Sequence, residues 1–71
     1  MNDDDLARDS ALNPDDHRLL RVLSAGLSAA EAADLLGMNL AAVAAQLARI
    51  RRALNVSSTT AAIHVAARRR L

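Results

Sequence analysis

Two helices joined by a very short link are the strongest structural signal in this sequence, because capping residues mark their boundaries. Ser28 and Glu31 have the spacing of a capping box, in which each side chain accepts a hydrogen bond from the other residue's backbone N–H. Gly37 can adopt the left-handed conformation that ends a helix, and Asn39 is a good N-cap for the next one. The sequence therefore predicts a helix over about residues 29–36, a link of about three or four residues and a second helix, which is the spacing of a helix-turn-helix.

Capping residues also predict one helix before this pair and one after it. Asn13 is a suitable N-cap and Pro14 fits the first helical position, so a helix is expected from there to about Ala25. Either Ser57 or Ser58 can cap a fourth helix that continues to the arginines near the end of the sequence. No stretch alternates apolar and polar residues as a strand would. The predicted fold class is all-α.

Apolar spacing predicts which faces of the helices are buried. The expected core positions are Leu19, Leu20 and Leu23 in the first helix, Ala32, Leu35 and Leu36 in the second, and Val43, Leu47, Ile50 and Leu54 in the third. The other positions of the third helix then face outward, and most of them are alanine, although solvent normally selects polar residues there.

Composition excludes several classes of protein. Without cysteine there is no disulfide or thiolate metal site, and His17 and His64 lie on different helices without companion ligands, so neither metal nor cofactor is expected. No apolar run approaches the roughly 18 residues of a membrane span, and the acidic start is unlike a signal peptide, so we expect a cytoplasmic protein without a membrane partner. No nucleophile with a nearby base and no phosphate-binding loop is visible, so we do not expect an enzyme.

The order and spacing of residues from about 12 to 67 resemble the LuxR-type (GerE- or NarL-type) DNA-binding domain. The matching residues are Leu12-Asn13-Pro14-Asp15-Asp16, Leu20, Leu23, Gly26, Leu27, Ser28, Glu31, Ala33, Leu36, Val43, Ile50, Leu54, Val56, Ala62 and Ala66. In this family a four-helix domain places its third helix in the major groove of DNA. The resemblance implies a transcriptional regulator that binds double-stranded DNA, and because 71 residues leave no room for a sensing domain, we expect one of the stand-alone type.

The predicted recognition helix departs from the family pattern. Where the family has Thr-Val-Lys-x-His, this sequence has Ala42-Val43-Ala44-Ala45-Gln46, so only the core valine is retained. Arg49, Arg51 and Arg52, with the backbone N–H groups near Asn39, are expected to contact phosphates, and Gln46 is expected to pair with adenine. Few other side chains remain to read bases, so readout is expected to be weak or shape-led. The predicted DNA contacts are Asn39, Ala42, Ala44, Ala45, Gln46, Ala48, Arg49 and Arg52.

The fourth helix is the predicted dimerisation element. In the LuxR-type family this helix commonly mediates homodimerisation, and here it has apolar residues beyond those that a four-helix domain can cover alone. The predicted interface residues are Ile63, His64, Ala66 and Ala67.

Charge divides the chain into two parts. Residues 1–11 have four aspartates against one arginine, a net charge of −3, and the remaining residues have eight arginines against four acidic residues, a net charge of +4. We therefore predict an acidic, disordered arm over residues 1–11 and a basic helix-turn-helix domain over residues 12–71. The arm is either a solvated tail or a screen that keeps the basic domain from non-specific DNA.

Two alternative interpretations of the third helix remain. A weaker resemblance, over residues 43–54, is to the recognition helix of sigma-factor region 4. In addition, the outward alanines form a smooth apolar strip of the kind that marks a partner site. On this second interpretation the chain is a protein-interaction module, acting as a co-regulator or antagonist of a transcription factor or of the transcription machinery. The strip consists of Leu40, Ala41, Ala44, Ala45 and Ala48.

Overall fold

The computed structural model describes residues 12–69, which form four α-helices and no β-strand. The helices are α1 (Pro14–Ser24), α2 (Ala29–Leu36), α3 (Leu40–Leu54) and α4 (Thr59–Arg69). The predicted all-α class and the four predicted helices are confirmed. The predicted acidic arm, residues 1–11, lies outside the described residues.

The first three helices begin at their predicted N-caps. Asn13 Oδ1 accepts a hydrogen bond from the Asp16 N–H at 2.9 Å, and Ser28 Oγ accepts one from the Glu31 N–H at 3.1 Å. The carboxylates of Asp16 and Glu31 accept in return from the N–H groups of Asn13 and Ser28, so both helices have a capping box. Asn39 caps α3 in the same way, without the reciprocal bond.

Left-handed residues end α2 and α3. Gly37 has φ 69° and Asn55 has φ 57°, so each reverses the chain at the C-cap. Beyond Gly37, the Met38 N–H donates to the Ala33 carbonyl at 2.8 Å, which satisfies one of the carbonyl groups that the end of α2 leaves free. The link between α2 and α3 is therefore the three residues 37–39.

Aliphatic side chains make up the core, which joins all four helices. The buried apolar residues are Leu12, Leu19, Leu20, Ala32, Ala33, Val43, Leu47, Ile50, Leu54, Ala62 and Ala66. The four predicted core positions of α3 are all buried. Both α1 and α3 pack against α2 and α4.

The prediction that Leu35 lies in the core is wrong, because its side chain is 65% exposed. The inward stripe of α2 consists of Ala32 and Ala33, with Ala29 and Leu36 partly buried beside them. Leu35 is outside this stripe, because a helix turns by about 100° per residue and Leu35 therefore lies roughly a third of a turn from the centre of the stripe. One large side chain of α2 is therefore exposed at the second-last residue of the helix.

Gly37 provides a test of the turn that separates α2 from α3. In Gly37→Ala the new Cβ would meet no heavy atom of another part of the chain within 4 Å, so the left-handed backbone is the main cost. We expect the free energy of unfolding, measured by urea titration, to fall by about 1 kcal/mol. Gly37→Asn should lose less, because asparagine tolerates this conformation, as Asn55 does in α3. Equal losses in the two variants would contradict this explanation.

Candidate functional site

A buried carboxylate joins α1 directly to α3. Asp16 is 0% exposed. Arg49 donates from Nη1 to its Oδ2 at 2.9 Å and from Nη2 to its Oδ1 at 2.7 Å, in a two-bond fork. Gln46 donates from Nε2 to Oδ1 at 2.9 Å, and the backbone N–H of Asn13 donates to Oδ2 at 3.1 Å. Every buried side-chain nitrogen and oxygen atom among the described residues has a hydrogen-bond partner.

These contacts keep Asp16 ionised. Burial alone raises the pKa of a carboxyl, but the hydrogen bonds from Arg49, from the Asn13 backbone and from Gln46 outweigh it, so the pKa of Asp16 lies below its ordinary value of 3.8. The hydrogen bonds that Arg49 donates to Asp16, and the negative charge of Asp16, raise the pKa of Arg49. The Arg49 side chain is 46% exposed, so the ion pair is buried on the Asp16 side and open to solvent on the Arg49 side.

The predicted DNA contacts on α3 fall into two groups. The side chains of Gln46 and Arg49 are held by Asp16. The remaining positions carry no such contact to α1: Ala44, Ala45 and Arg52 are exposed, and Ala42 and Ala48 are half-buried. The sequence analysis did not identify Asp16 as a partner of α3. Asp16 comes three residues after Asn13, the same sequence separation as between Ser28 and Glu31. This capping-box spacing was the sequence signal that a carboxylate is fixed at the start of the helix.

The three arginines of α3 have different surroundings. Arg49 is paired with Asp16, and Arg51 donates from Nη1 to Thr59 Oγ1 at 3.0 Å, which ties α3 to the start of α4. Arg52 is exposed. The positive charge of Arg52 is therefore the one that α3 presents most openly to a phosphate.

The beginning of α3 is also exposed. Asn39 Oδ1 accepts from the Ala42 N–H at 2.7 Å, so the capping bond uses that donor. The N–H groups of Leu40 and Ala41 come earlier in the helix and have no intrahelical acceptor. Both residues and Asn39 are exposed, and these donors lie at the positive end of the helix dipole.

An apolar strip runs along the outward side of α3. Leu40 is 54% exposed, and Ala41, Ala44 and Ala45 are exposed on the turns that follow it. Leu35 lies on the other side of the three-residue link. We call the residues of α3 in this strip, Leu40, Ala41, Ala44, Ala45 and Ala48, the alanine face.

The predicted dimer residues lie beside a groove between α1 and α4. The groove has a volume of about 180 Å³ and is lined by His17, Leu20, Arg21, Ser24, Ile63, Ala66 and Ala67. Ile63 is half-buried, Ala66 belongs to the core and Ala67 is exposed. His64 is exposed and does not line the groove. Three of the four predicted residues thus share one surface with α1.

No protein-family model, curated protein or solved structure matches the chain. Within residues 12–69, no helix is both long and apolar enough to cross a membrane. The same part of the chain has no cluster of three or more histidine, cysteine, aspartate or glutamate side chains that would hold a metal ion.

The lowered pKa of Asp16 predicts a pH-dependent contribution to stability. Because the folded pKa is below the unfolded one, the contribution is complete above the ordinary value of 3.8 and is lost as the pH falls through the folded pKa. At neutral pH, Asp16→Asn should lower the free energy of unfolding by about 2 kcal/mol, the scale of hydrogen bonds to a charged group. The difference from wild type should narrow in acid, as measured by denaturant titration at several pH values.

Asp15→Asn is the matched control for this experiment. It removes the same charge from the neighbouring residue, whose side chain is 78% exposed and whose only ion pair among the described residues, with Arg18, is 3.9 Å long. Such an exposed pair contributes little. A loss in Asp16→Asn that is no larger than in Asp15→Asn, or that does not change with pH, would show that the buried carboxylate is not a stabilising charge.

Proposed function

We propose that the chain is a transcriptional regulator that binds double-stranded DNA through a helix-turn-helix, as a homodimer, in the manner of a LuxR-type domain. The observation that carries this proposal is the unit formed by the eight-residue α2, the three-residue link and the fifteen-residue α3. Gly37 and Asn39 fix the two ends of the link, and one side of α3 is left exposed for a groove of DNA.

Phosphate contacts dominate the proposed interface. Arg52 and the free N–H groups at the start of α3 supply donors for phosphates, which position a protein on DNA without reading its sequence. Ala44 and Ala45 supply only methyl groups for base edges, and Gln46 is held by Asp16. Discrimination between bases is therefore weak, and the shape and flexibility of the duplex contribute most of it.

The α1–α4 groove is the proposed dimer surface. Its apolar lining includes Ile63, which is partly buried, and Ala67, which is exposed. Its polar lining includes Arg21 and Ser24 of α1. A two-fold interface repeats the same contacts on both copies, so one apolar groove is sufficient. A dimer of this kind places two α3 helices on one duplex. We propose that the regulator acts in the cytoplasm.

A second function is favoured by one observation, the exposure of Leu35 and Leu40 on either side of the link. These are the two large apolar side chains that are exposed among the described residues. Leu35 on α2 and the alanine face of α3, which includes Leu40, are exposed apolar groups of the kind that marks a protein partner. On this interpretation α3 docks onto a protein of the transcription apparatus and the chain acts as a co-regulator or antagonist.

The salt dependence of DNA binding tests the proposed role of α3. The logarithm of the association constant falls linearly with the logarithm of the salt concentration. Arg52→Ala should make this slope shallower by about 0.9, because one phosphate contact is lost. Arg52→Lys keeps the charge and should keep the slope. The measurement is fluorescence anisotropy with a labelled duplex at several salt concentrations.

The same assay separates the two functions through Ala45, an exposed residue of the alanine face. Ala45→Glu should abolish DNA binding by placing a carboxylate against the duplex, and Ala45→Gln, of similar size without the charge, should retain most of it. If wild-type protein does not bind DNA at low salt, and Ala45→Glu prevents a pull-down of a protein partner, the docking function replaces the DNA-binding one.

The proposed dimer is tested at Ile63 and Ala67. Ile63→Arg and Ala67→Arg place a charge in the groove and should each convert a dimer into a monomer in light scattering at micromolar concentration. Ala67 is exposed, so its variant tests the interface without disturbing the core, and Ala30→Arg on α2 is a control at another exposed position. A monomeric wild type, or dimers of unchanged mass in both groove variants, would exclude this interface.

A further inference from the structure

We infer that Asp16 is a positioning residue for the proposed DNA interface, which holds Gln46 and Arg49 of α3 and compensates the charge of Arg49. The inference rests on the proposed function. It adds that the strength of DNA binding is limited by a residue of α1, the helix that does not enter the groove in that proposal.

The geometry explains how one carboxylate controls two side chains. Gln46 and Arg49 are three residues apart on α3, so they lie on neighbouring positions of one helix surface. Asp16 Oδ1 accepts from both of them, at 2.9 Å and 2.7 Å, and Oδ2 accepts the second Arg49 bond at 2.9 Å. Because Asp16 is itself fixed by the Asn13 N–H, neither side chain can turn towards a base without losing a hydrogen bond to a buried charge.

Arg49 retains donors that a phosphate can reach. A guanidinium has five N–H donors, and Asp16 uses two of them, one on each terminal nitrogen. The side chain is 46% exposed, so the other donors are accessible. Asp16 compensates the positive charge of Arg49, so the ion pair has no net charge. An arginine in such a pair releases fewer counterions from DNA than an arginine without a carboxylate partner.

Arg52 differs from Arg49 in having no carboxylate partner on α1. Arg52 is three residues further along α3 and is exposed, without a carboxylate of α1 beside it. The two arginines therefore differ in their partner more than in their position on the helix. We expect Arg52 to contribute a full phosphate contact to the salt dependence and Arg49 to contribute much less in the wild-type chain.

The test compares Asp16→Asn with Asp15→Asn in the salt-dependent binding assay, with a duplex of mixed sequence. Both variants gain one unit of net charge, but only Asp16→Asn frees Arg49. Its slope should be steeper than that of Asp15→Asn by about 0.9, and its affinity at low salt should be higher than wild type. A merely structural role gives the opposite result, because a less stable protein binds more weakly. Circular dichroism at the assay temperature establishes that each variant is folded.

Arg49→Met in both backgrounds completes the cycle. In the wild-type background, Arg49→Met should change the slope of the salt dependence little. In the Asp16→Asn background, it should remove the increase in steepness of about 0.9. Asp16→Glu, which keeps the carboxylate, should bind more like wild type than Asp16→Asn does.

The outcomes separate this inference from the proposed function. If wild type binds DNA but Asp16→Asn and Asp15→Asn have the same slope, the inference is wrong and the proposed function stands. If Asp16→Asn binds DNA at low salt and wild type does not, Asp16 limits DNA binding as inferred, but the proposed function of the wild-type chain is wrong. If no variant binds at low salt, both are wrong.

Discussion

The Asp16 carboxylate has no contact with solvent, and such a group is tolerated in a protein interior only when hydrogen bonds and an opposite charge replace its hydration. Here the replacement comes from two helices: the N–H of Asn13 at the start of α1, and Gln46 and Arg49 in the middle of α3. Core packing joins α1 and α3 mainly through α2 and α4. The directional bonds at Asp16 therefore fix the register of α3 against α1, which methyl groups in a core without aromatic side chains define less sharply.

Most of the fold could be predicted from the sequence because its signals are local. The caps at Asn13, Ser28 and Asn39, and the left-handed Gly37, act within three or four residues, and each determines a helix end by itself. The core stripe of α3 follows from its period. Leu35 could not be placed by the same reasoning, because in a helix of eight residues the inward direction is set by the helices packed against it.

The candidate site was less predictable, because its contacts are distant in the sequence. Asp16 lies 30 residues from Gln46 and 33 from Arg49, and the pattern of each helix alone places these side chains on outward surfaces. Only the packing of α1 and α3 against the same two helices, α2 and α4, brings the charges together. The predicted DNA contacts from Ala42 to Arg52 lie on α3 and Asn39 caps it, but the pattern of α3 alone does not indicate that Asp16 holds Gln46 and Arg49.

The alanine face and the Asp16 network act on the proposed interface in the same direction. Ala44 and Ala45 remove long donors from the outward side of α3, and Asp16 restrains the two polar side chains that remain near them. Small side chains also let the helix backbone approach a duplex closely, which favours recognition by groove shape. An interface of this kind discriminates poorly as a single copy. For a homodimer, however, the separation of two α3 helices must match the helical repeat of DNA, so the spacing of half-sites provides selectivity that the side chains do not.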